Sequence, residues 1–187
     1  MRRLTSLVLL VVIAVAAVGT YAVKEEPGWY IRLRYPLKYE AIIRGHAHTY
    51  GLQPAYVAAV VFTESKFEPG AKSSAGAIGL MQLLPGTAQG IADHTGGHGF
   101  VASDLYVPEI NVRYGCWYLR QLQTKYADHP QAEDLALAAY NAGQGNVDRW
   151  VAATPAGEPV LIPFAETRAY IARVHELERL YRRGYGL

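Results

Sequence analysis

The stretch YVAAVVFTESKFEPGAKSSAGAIGLMQLLP, Tyr56 to Pro85, opens as an apolar helix and closes in a loop of small residues. At Glu64 a carboxylate stands where the pattern calls for another apolar side chain. Val57, Val60, Val61 and Glu64 are spaced i, i+3, i+4 and i+7, so a single helical face carries all four. Pro54 suits the first helical turn, where its missing N–H costs nothing. A carboxylate on an apolar face is either paired or held partly protonated, because burial disfavours the charged form. In the plainer reading the helix ends near Ser65 and Glu64 turns to water. In the sharper reading Glu64 is a catalytic acid, and the rest of the chain has to decide.

The chain has 187 residues, a length that fits one ordinary domain with an appendage. A net charge of +2 is too small to argue for a nucleic-acid partner. The 14 tyrosines suit a polar, partly aromatic surface or groove of the kind that holds sugars. Cys116 is the only cysteine, so no intrachain disulfide forms, and a thiol-poor chain is compatible with life outside the cytoplasm. Cys116 shares a helical pattern with Val112 and Leu119 and fits a core position.

The N-terminal run LTSLVLLVVIAVAAVGTYAV, Leu4 to Val23, has no charge and about the length that spans a bilayer. Arg2 and Arg3 precede it, which puts the N-terminus in the cytoplasm and the remainder outside. The rival is a cleaved signal peptide, with Ala17–Gly19 as a weak small-residue cleavage site and a secreted product. The run is longer than most signal-peptide cores, which favours a single-pass anchor in the cell membrane. Residues 1–23 are therefore expected to be a cytoplasmic stub and transmembrane helix. Residues 24–36, KEEPGWYIRLRYP, are expected to be a juxtamembrane linker, with Trp29 and Tyr30 at the membrane interface or packed on the domain. Residues 37–187 form the extracytoplasmic domain.

In that domain the pattern is mostly helical. Tyr39, Ile42, Ile43 and Ala47 make one stripe, with Gly51 as a C-cap. The Glu64 helix follows, then a small-residue loop or short hairpin. Further helices are expected from Pro85, over Pro108 to about Tyr126, over Leu135 to Ala142, over GNVDRWVAAT, and from Phe164 to about Arg183. The last presents Tyr170, Val174, Leu177 and Tyr181 on one face. No alternating pattern is long enough for more than a small hairpin sheet.

Three stretches align in order: Glu64–Ser65; GLMQLLPGTA, Gly79 to Ala88, preceded by Ser73; and AAYNAGQGNV, Ala139 to Val147. With these separations they resemble the soluble lytic transglycosylase (SLT-type) catalytic domain family, which has a goose-type lysozyme-like fold. PEINVRYGCWYL, Pro108 to Leu119, and IPFAETRAYIARV, Ile162 to Val174, extend the resemblance over about residues 37–180. It implies a mainly α, lysozyme-like domain with at most a small β-hairpin. It also implies cleavage of the β-1,4 bond between N-acetylmuramic acid and N-acetylglucosamine in peptidoglycan, without water, leaving 1,6-anhydromuramoyl ends.

The catalytic Glu of that family carries over to Glu64, and an apolar helix face is what a general acid working near neutral pH needs. Most glycosidases use two carboxylates across the scissile bond, with substrate-assisted families as exceptions. Here one Glu acts as acid and then as base, the substrate's acetamido group assists at C1, and no cofactor or metal is called for. By motif position, Tyr140 and Asn141 belong to the sugar site, with the Tyr140 hydroxyl orienting Glu64. Met81 and Gln82 match the loop lining the sugar cleft, although Met81 equally suits core filling. Ser73 matches a serine near the acetamido region, and Gly79 fits close approach of backbone to a sugar. Leu84 stands where many relatives have Met. Glu166 and Tyr170 match a further substrate segment, and Glu166 also suits the first turn of a helix, where an acid complements the dipole. His46, His48, His94 and His98 make no metal set.

Three functions fit: a membrane-anchored transglycosylase acting on peptidoglycan glycan strands; a goose-type lysozyme hydrolase; and a non-catalytic wall-binding accessory of cell-envelope machinery. The hydrolase needs a second acid, for which Asp93, Asp104 and Glu68 are available without a clear match. The binder has no need of an acid on an apolar face.

Overall fold

The computed structural model describes residues 2–155 and 157–187, with side chains described from residue 9 onward. The described residues fold into nine α-helices: α1 (Arg2–Glu25), α2 (Gly28–Arg34), α3 (Glu40–Thr49), α4 (Pro54–Ser65), α5 (Pro85–Thr95), α6 (Pro108–Lys125), α7 (Ala132–Ala142), α8 (Gln144–Ala153) and α9 (Ala165–Tyr185). A 3-10 turn, Ala102–Tyr106, leads into α6. In place of a sheet, two isolated antiparallel bridges, Lys72 to Ile78 and Ile78 to Leu83, close the loop between α4 and α5.

The central helix is α4. Pro54 occupies its first turn, and every residue from Ala55 to Phe62 is buried. The helix is thus apolar on all sides, which is how a helix surrounded by its own domain is composed. α9 lies along it, with α3 beside it, and α7 packs on α9 and α6. The expected stripe of α9, Tyr170, Val174, Leu177 and Tyr181, is buried. Phe67 sits between Phe62 and Tyr181, with ring centroids 6.0 Å and 6.2 Å away. Cys116 is fully buried in this core, where burial pushes its thiol up.

A second, smaller core gathers Ile78, Leu83, Ala88, Ile91, Ala92, Leu105 and Tyr114 beneath α5 and the 3-10 turn. Tyr118 and Tyr140 touch both cores.

Two N-terminal expectations change. Among the described residues no helix is long and apolar enough to cross a membrane. The expected span begins at Leu4, and the side chains of residues 1–8 lie outside the described set. The segment expected to be a linker is instead partly helical and packed. α2 lies against α9, Ile31 is fully buried, and the Arg32 Nε–H donates to the Gly184 carbonyl at 2.7 Å. Ile31 was hidden in the sequence because its neighbours Trp29, Arg32 and Arg34 are polar or suited to an interface.

Candidate active site

Glu64 occupies the last turn of α4. Beyond Ser65, Lys66 and Phe67 both take positive φ, 52° and 64°, so the chain leaves the helix abruptly. The helix ends at Ser65, as the plainer reading has it, but Glu64 is half-buried and does not simply turn to water. Burial raises its carboxyl to about 7, against a smaller opposite effect from the Tyr170 hydroxyl. That hydroxyl, on α9, donates to Glu64 Oε1 at 2.8 Å and favours the carboxylate. Desolvation wins, and both protonation states of Glu64 are accessible near neutral pH.

The orienting hydroxyl is therefore that of Tyr170, not Tyr140. The Tyr140 hydroxyl donates to the Met81 carbonyl at 2.7 Å, and its ring packs on Tyr118 with centroids 5.5 Å apart. Tyr140 thus fixes the loop that carries Met81.

The rest of that loop is held by Asn111, which the motif comparison passed over. Asn111 is fully buried at the start of α6. Its Oδ1 accepts from the Met81 N–H at 2.7 Å, and its Nδ2 donates to the carbonyls of Ile78 at 2.9 Å and Leu105 at 2.8 Å. A polar residue at the helical spacing of Gly115 and Leu119 was the signal that could have found it. From the other side, the Ser65 hydroxyl donates to the Leu80 carbonyl at 2.8 Å. The residue after the acid therefore ties the end of α4 to the loop.

Within the loop, Gly79 is required for a different reason from the one expected. Its φ is +80°, and a Cβ there would collide with the Leu105 carbonyl and the Asn111 amide. The close approach seen here is to the protein. The Met81 side chain is fully buried, its sulfur against Gly115, so the core role holds and only its backbone serves the site. Gln82 has φ +47°, and its amide donates to the carbonyls of Gly79 at 2.9 Å and Ala71 at 3.2 Å.

Gln82, Leu84, Thr87, Tyr118, Tyr140 and Asn141 line a cleft of about 220 Å³. Asn141, in the last turn of α7, is set by the nearly buried Thr167 of α9, whose hydroxyl donates to Asn141 Oδ1 at 2.8 Å. Ser73 is exposed and its Oγ accepts from the Ala77 N–H at 3.0 Å, so its hydroxyl closes a turn. Glu166 is exposed in the first turn of α9, where it complements the helix dipole.

The candidate second acids are occupied elsewhere. Asp93 accepts from Gln89, Asp104 accepts from the Val101 N–H, and Glu68 pairs with Lys38. No other carboxylate contributes to the state of Glu64.

Residues 41–161 match the family described as Transglycosylase SLT domain. The chain is similar to the soluble lytic murein transglycosylase of Salmonella typhimurium, 32% identical over 164 residues, covering 82% of this chain and 24% of that protein. It is similar to membrane-bound lytic murein transglycosylase C of Haemophilus influenzae, 40% identical over 118 residues, covering 60% of this chain and 33% of that one. Among solved structures it resembles an inactive Glu-to-Gln mutant of lytic transglycosylase Slt from Pseudomonas aeruginosa, with TM-score 0.74 and 32% identity over 83% of this chain and 26% of that one. The 70 kDa soluble lytic transglycosylase of Escherichia coli gives TM-score 0.73 and 30% identity over 82% of this chain and 25% of that one. The chain spans about a quarter of the length of these soluble relatives. A family match across most of the helical domain, on a fold shared with solved members at this level of identity, means that this chain belongs to the transglycosylase SLT domain family.

Proposed function

We propose that this chain is a peptidoglycan lytic transglycosylase in which Glu64 is the single acid and base. The observation that carries the proposal is a half-buried carboxyl raised to about 7, hydrogen-bonded by Tyr170 and perturbed by no second carboxylate. The names of its relatives support the reading, as does the inactive state of a relative carrying a Glu-to-Gln change.

In this mechanism protonated Glu64 gives its proton to the oxygen of the scissile bond between N-acetylmuramic acid and N-acetylglucosamine. The C1–O bond breaks, and the substrate's 2-acetamido carbonyl oxygen closes on C1 as an oxazolinium-like species. Glu64, now a carboxylate held by the Tyr170 hydroxyl, takes the proton of the C6 hydroxyl. O6 attacks C1, the acetamido group is released, and a 1,6-anhydromuramoyl end remains. No water is consumed, and Glu64 ends protonated as it began. Asn141, set by Thr167, serves as a polar contact for the sugar in the cleft, beside Gln82 and Tyr140.

Mass spectrometry of digested peptidoglycan is the test. Anhydro ends are expected; reducing ends, heavier by one water, would assign the hydrolytic alternative, and undigested glycan would assign a binder.

The same reading makes α1 a membrane tether. Leu9, Leu10, Val11, Val12 and Ile13 are consecutive and all exposed, as are Val15, Val18 and Val23. An exposed apolar run of this kind suits lipid, while Ala22 near its end is buried. Protease added to intact protoplasts is expected to remove the domain, and the chain is expected in the membrane fraction. A soluble exported product starting near Thr20 would show a cleaved signal instead.

A further inference from the structure

A larger cavity, about 630 Å³, opens at the other end of α4. Tyr56, Gln123, Glu133, His175, Glu178 and Arg182 are among its walls. Tyr56 precedes Glu64 by eight residues, about 12 Å along the helix axis, and this cavity shares no lining residue with the cleft.

Glu133 from α7 and His175 and Glu178 from α9 each offer a ligand atom, and all three atoms lie within 4.8 Å of one another. His175 and Glu178 are spaced i, i+3 and share a face of α9. His175 Nε2 lies 2.7 Å from Asp134 Oδ1, and its Nδ1 lies 3.9 Å from Glu133 Oε1. An imidazole that donates Nε2–H to Asp134 keeps a lone pair at Nδ1, on the side of Glu133. Metal-binding histidines are oriented by an outer carboxylate in this way.

An independent observation concerns Tyr56. It is 2% exposed, lines the same cavity, and its hydroxyl has no hydrogen-bond partner. The Gln123 side chain is near enough to act on the phenol as a hydrogen-bonding neighbour but falls short of hydrogen-bond geometry, and Glu133 and Glu178 are among the charges acting on it. A buried hydroxyl left unpaired is costly, and this one belongs to the wall of the same cavity as the three converging ligands.

We propose that Glu133, His175 and Glu178 bind one divalent transition-metal ion of the zinc class. Zinc accepts imidazole nitrogen and carboxylate oxygen together, and three protein ligands leave one position for a water. That water supplies the partner that the Tyr56 hydroxyl lacks. Arg182 now pairs with Glu178 as the resident cation, and the metal takes over that role. The ion ties α7, which carries Tyr140 and Asn141, to α9, which carries Tyr170. Its effect is on the stability of the folded domain, away from the reacting atoms.

The test uses the untagged full chain in detergent, stripped with chelator and titrated with Zn²⁺ and Co²⁺. One ion per chain is expected, with a Co²⁺ absorption spectrum showing nitrogen and oxygen ligation. With free Zn²⁺ at 100 times its dissociation constant, the ratio of folded to unfolded chain is expected to rise about 100-fold, seen as a higher melting temperature. His175→Ala and Glu178→Gln are expected to abolish both effects. Glu133→Gln alters a half-exposed side chain (51% exposed) and serves where the other two variants fail to fold. Arg182→Gln is expected to tighten binding, because it removes the competing cation. The proposal is overturned if Zn²⁺ leaves the parent's melting unchanged, or if binding survives Glu133→Gln and His175→Ala. Loss of binding in Glu64→Gln would place the ion in the cleft and would also overturn it.

Discussion

Glu64→Gln separates catalysis from folding in a way that can be worked from the structure. Burial raises the Glu64 carboxyl from its ordinary 4.5 to about 7. One unit corresponds to about 1.4 kcal/mol, so ionising Glu64 in the folded chain costs about 3 kcal/mol relative to the unfolded chain. Below the unfolded value both states keep the proton and the cost is absent. Between 4.5 and about 7 the unfolded chain releases its proton first, so stability falls as pH rises. Above about 7 both states are ionised and the cost is complete. Gln removes the charge and keeps an oxygen that accepts from Tyr170. The variant is expected to match the parent near pH 4 and to exceed it by about 3 kcal/mol near pH 8, or about 6–12 °C in melting temperature for a chain of this size. Turnover on peptidoglycan is expected to fall by about 10²-fold or more. Calorimetry of both proteins across this range, with digests of the same preparations, measures both quantities. A variant no more stable than its parent near pH 8, or one that keeps turnover within a few-fold, would refute the assignment.

Tyr170→Phe removes the one hydrogen bond that favours the Glu64 carboxylate, so the alkaline limb of the pH–rate profile is expected to move upward. Turnover is expected to fall about 10- to 150-fold, the worth of a bond to a charged group; an unmoved profile would remove Tyr170 from the site. Tyr140→Phe is expected to cost about 0.5–1.5 kcal/mol of stability, for its lost bond to the Met81 carbonyl, and to leave the pH profile in place. A shifted profile would restore Tyr140 as the residue that orients the acid. Asn111→Ala takes their Asn111 partner from the Met81 N–H and the Leu105 carbonyl, while the Ile78 carbonyl keeps the Leu83 N–H, and is expected to cost about 2–5 kcal/mol in denaturant unfolding. A cost under about 1 kcal/mol would show that the loop is held by something else.

The helices were legible because each carries its own signal. Pro54, Pro85 and Pro108 open α4, α5 and α6 as their positions suggested. Four buried positions of α9 were marked in the sequence, without Ile171 and Leu180, and Glu64 stood out because its neighbours are apolar. What stayed hidden depends on contacts between distant segments. Tyr170 and Glu64 are 106 residues apart, and nothing local to either says that they meet. Tyr140 was the natural choice because it adjoins Asn141 in a motif, yet adjacency in sequence does not say where a hydroxyl points. Gly79 was marked as special by its loop, but the atoms that exclude a side chain there belong to Leu105 and Asn111. Ile31 and Asn111 were missed for a shared reason. One is an apolar residue in a polar stretch and the other a polar residue in an apolar stripe, and only tertiary packing reverses such local patterns.

The division into two cores explains how a helical chain without a sheet builds a groove. The larger core centres on α4 and α9, and the smaller one lies beneath α5. The Gly79–Gln82 loop runs between them, and its polar backbone needs partners that neither apolar core provides. Asn111 and Tyr140, from α6 and α7, supply them, and Ser65 fastens the same loop to the helix of the acid. Glu64 therefore comes from the large core, while the loop tied to its helix by Ser65 is pinned by polar groups at the seam. This arrangement keeps Glu64 dry enough to hold a proton near neutral pH while the cleft stays open beside Tyr140 and Asn141. Moving the acid deeper would raise its carboxyl further and strand it as an acid that never becomes a base. Moving it into solvent would return it to the ordinary carboxylate range, ionised before the glycosidic oxygen could be protonated. A position at the end of a buried helix, with one hydroxyl donor, meets both requirements that the proposed mechanism sets for Glu64, to give a proton and then take one.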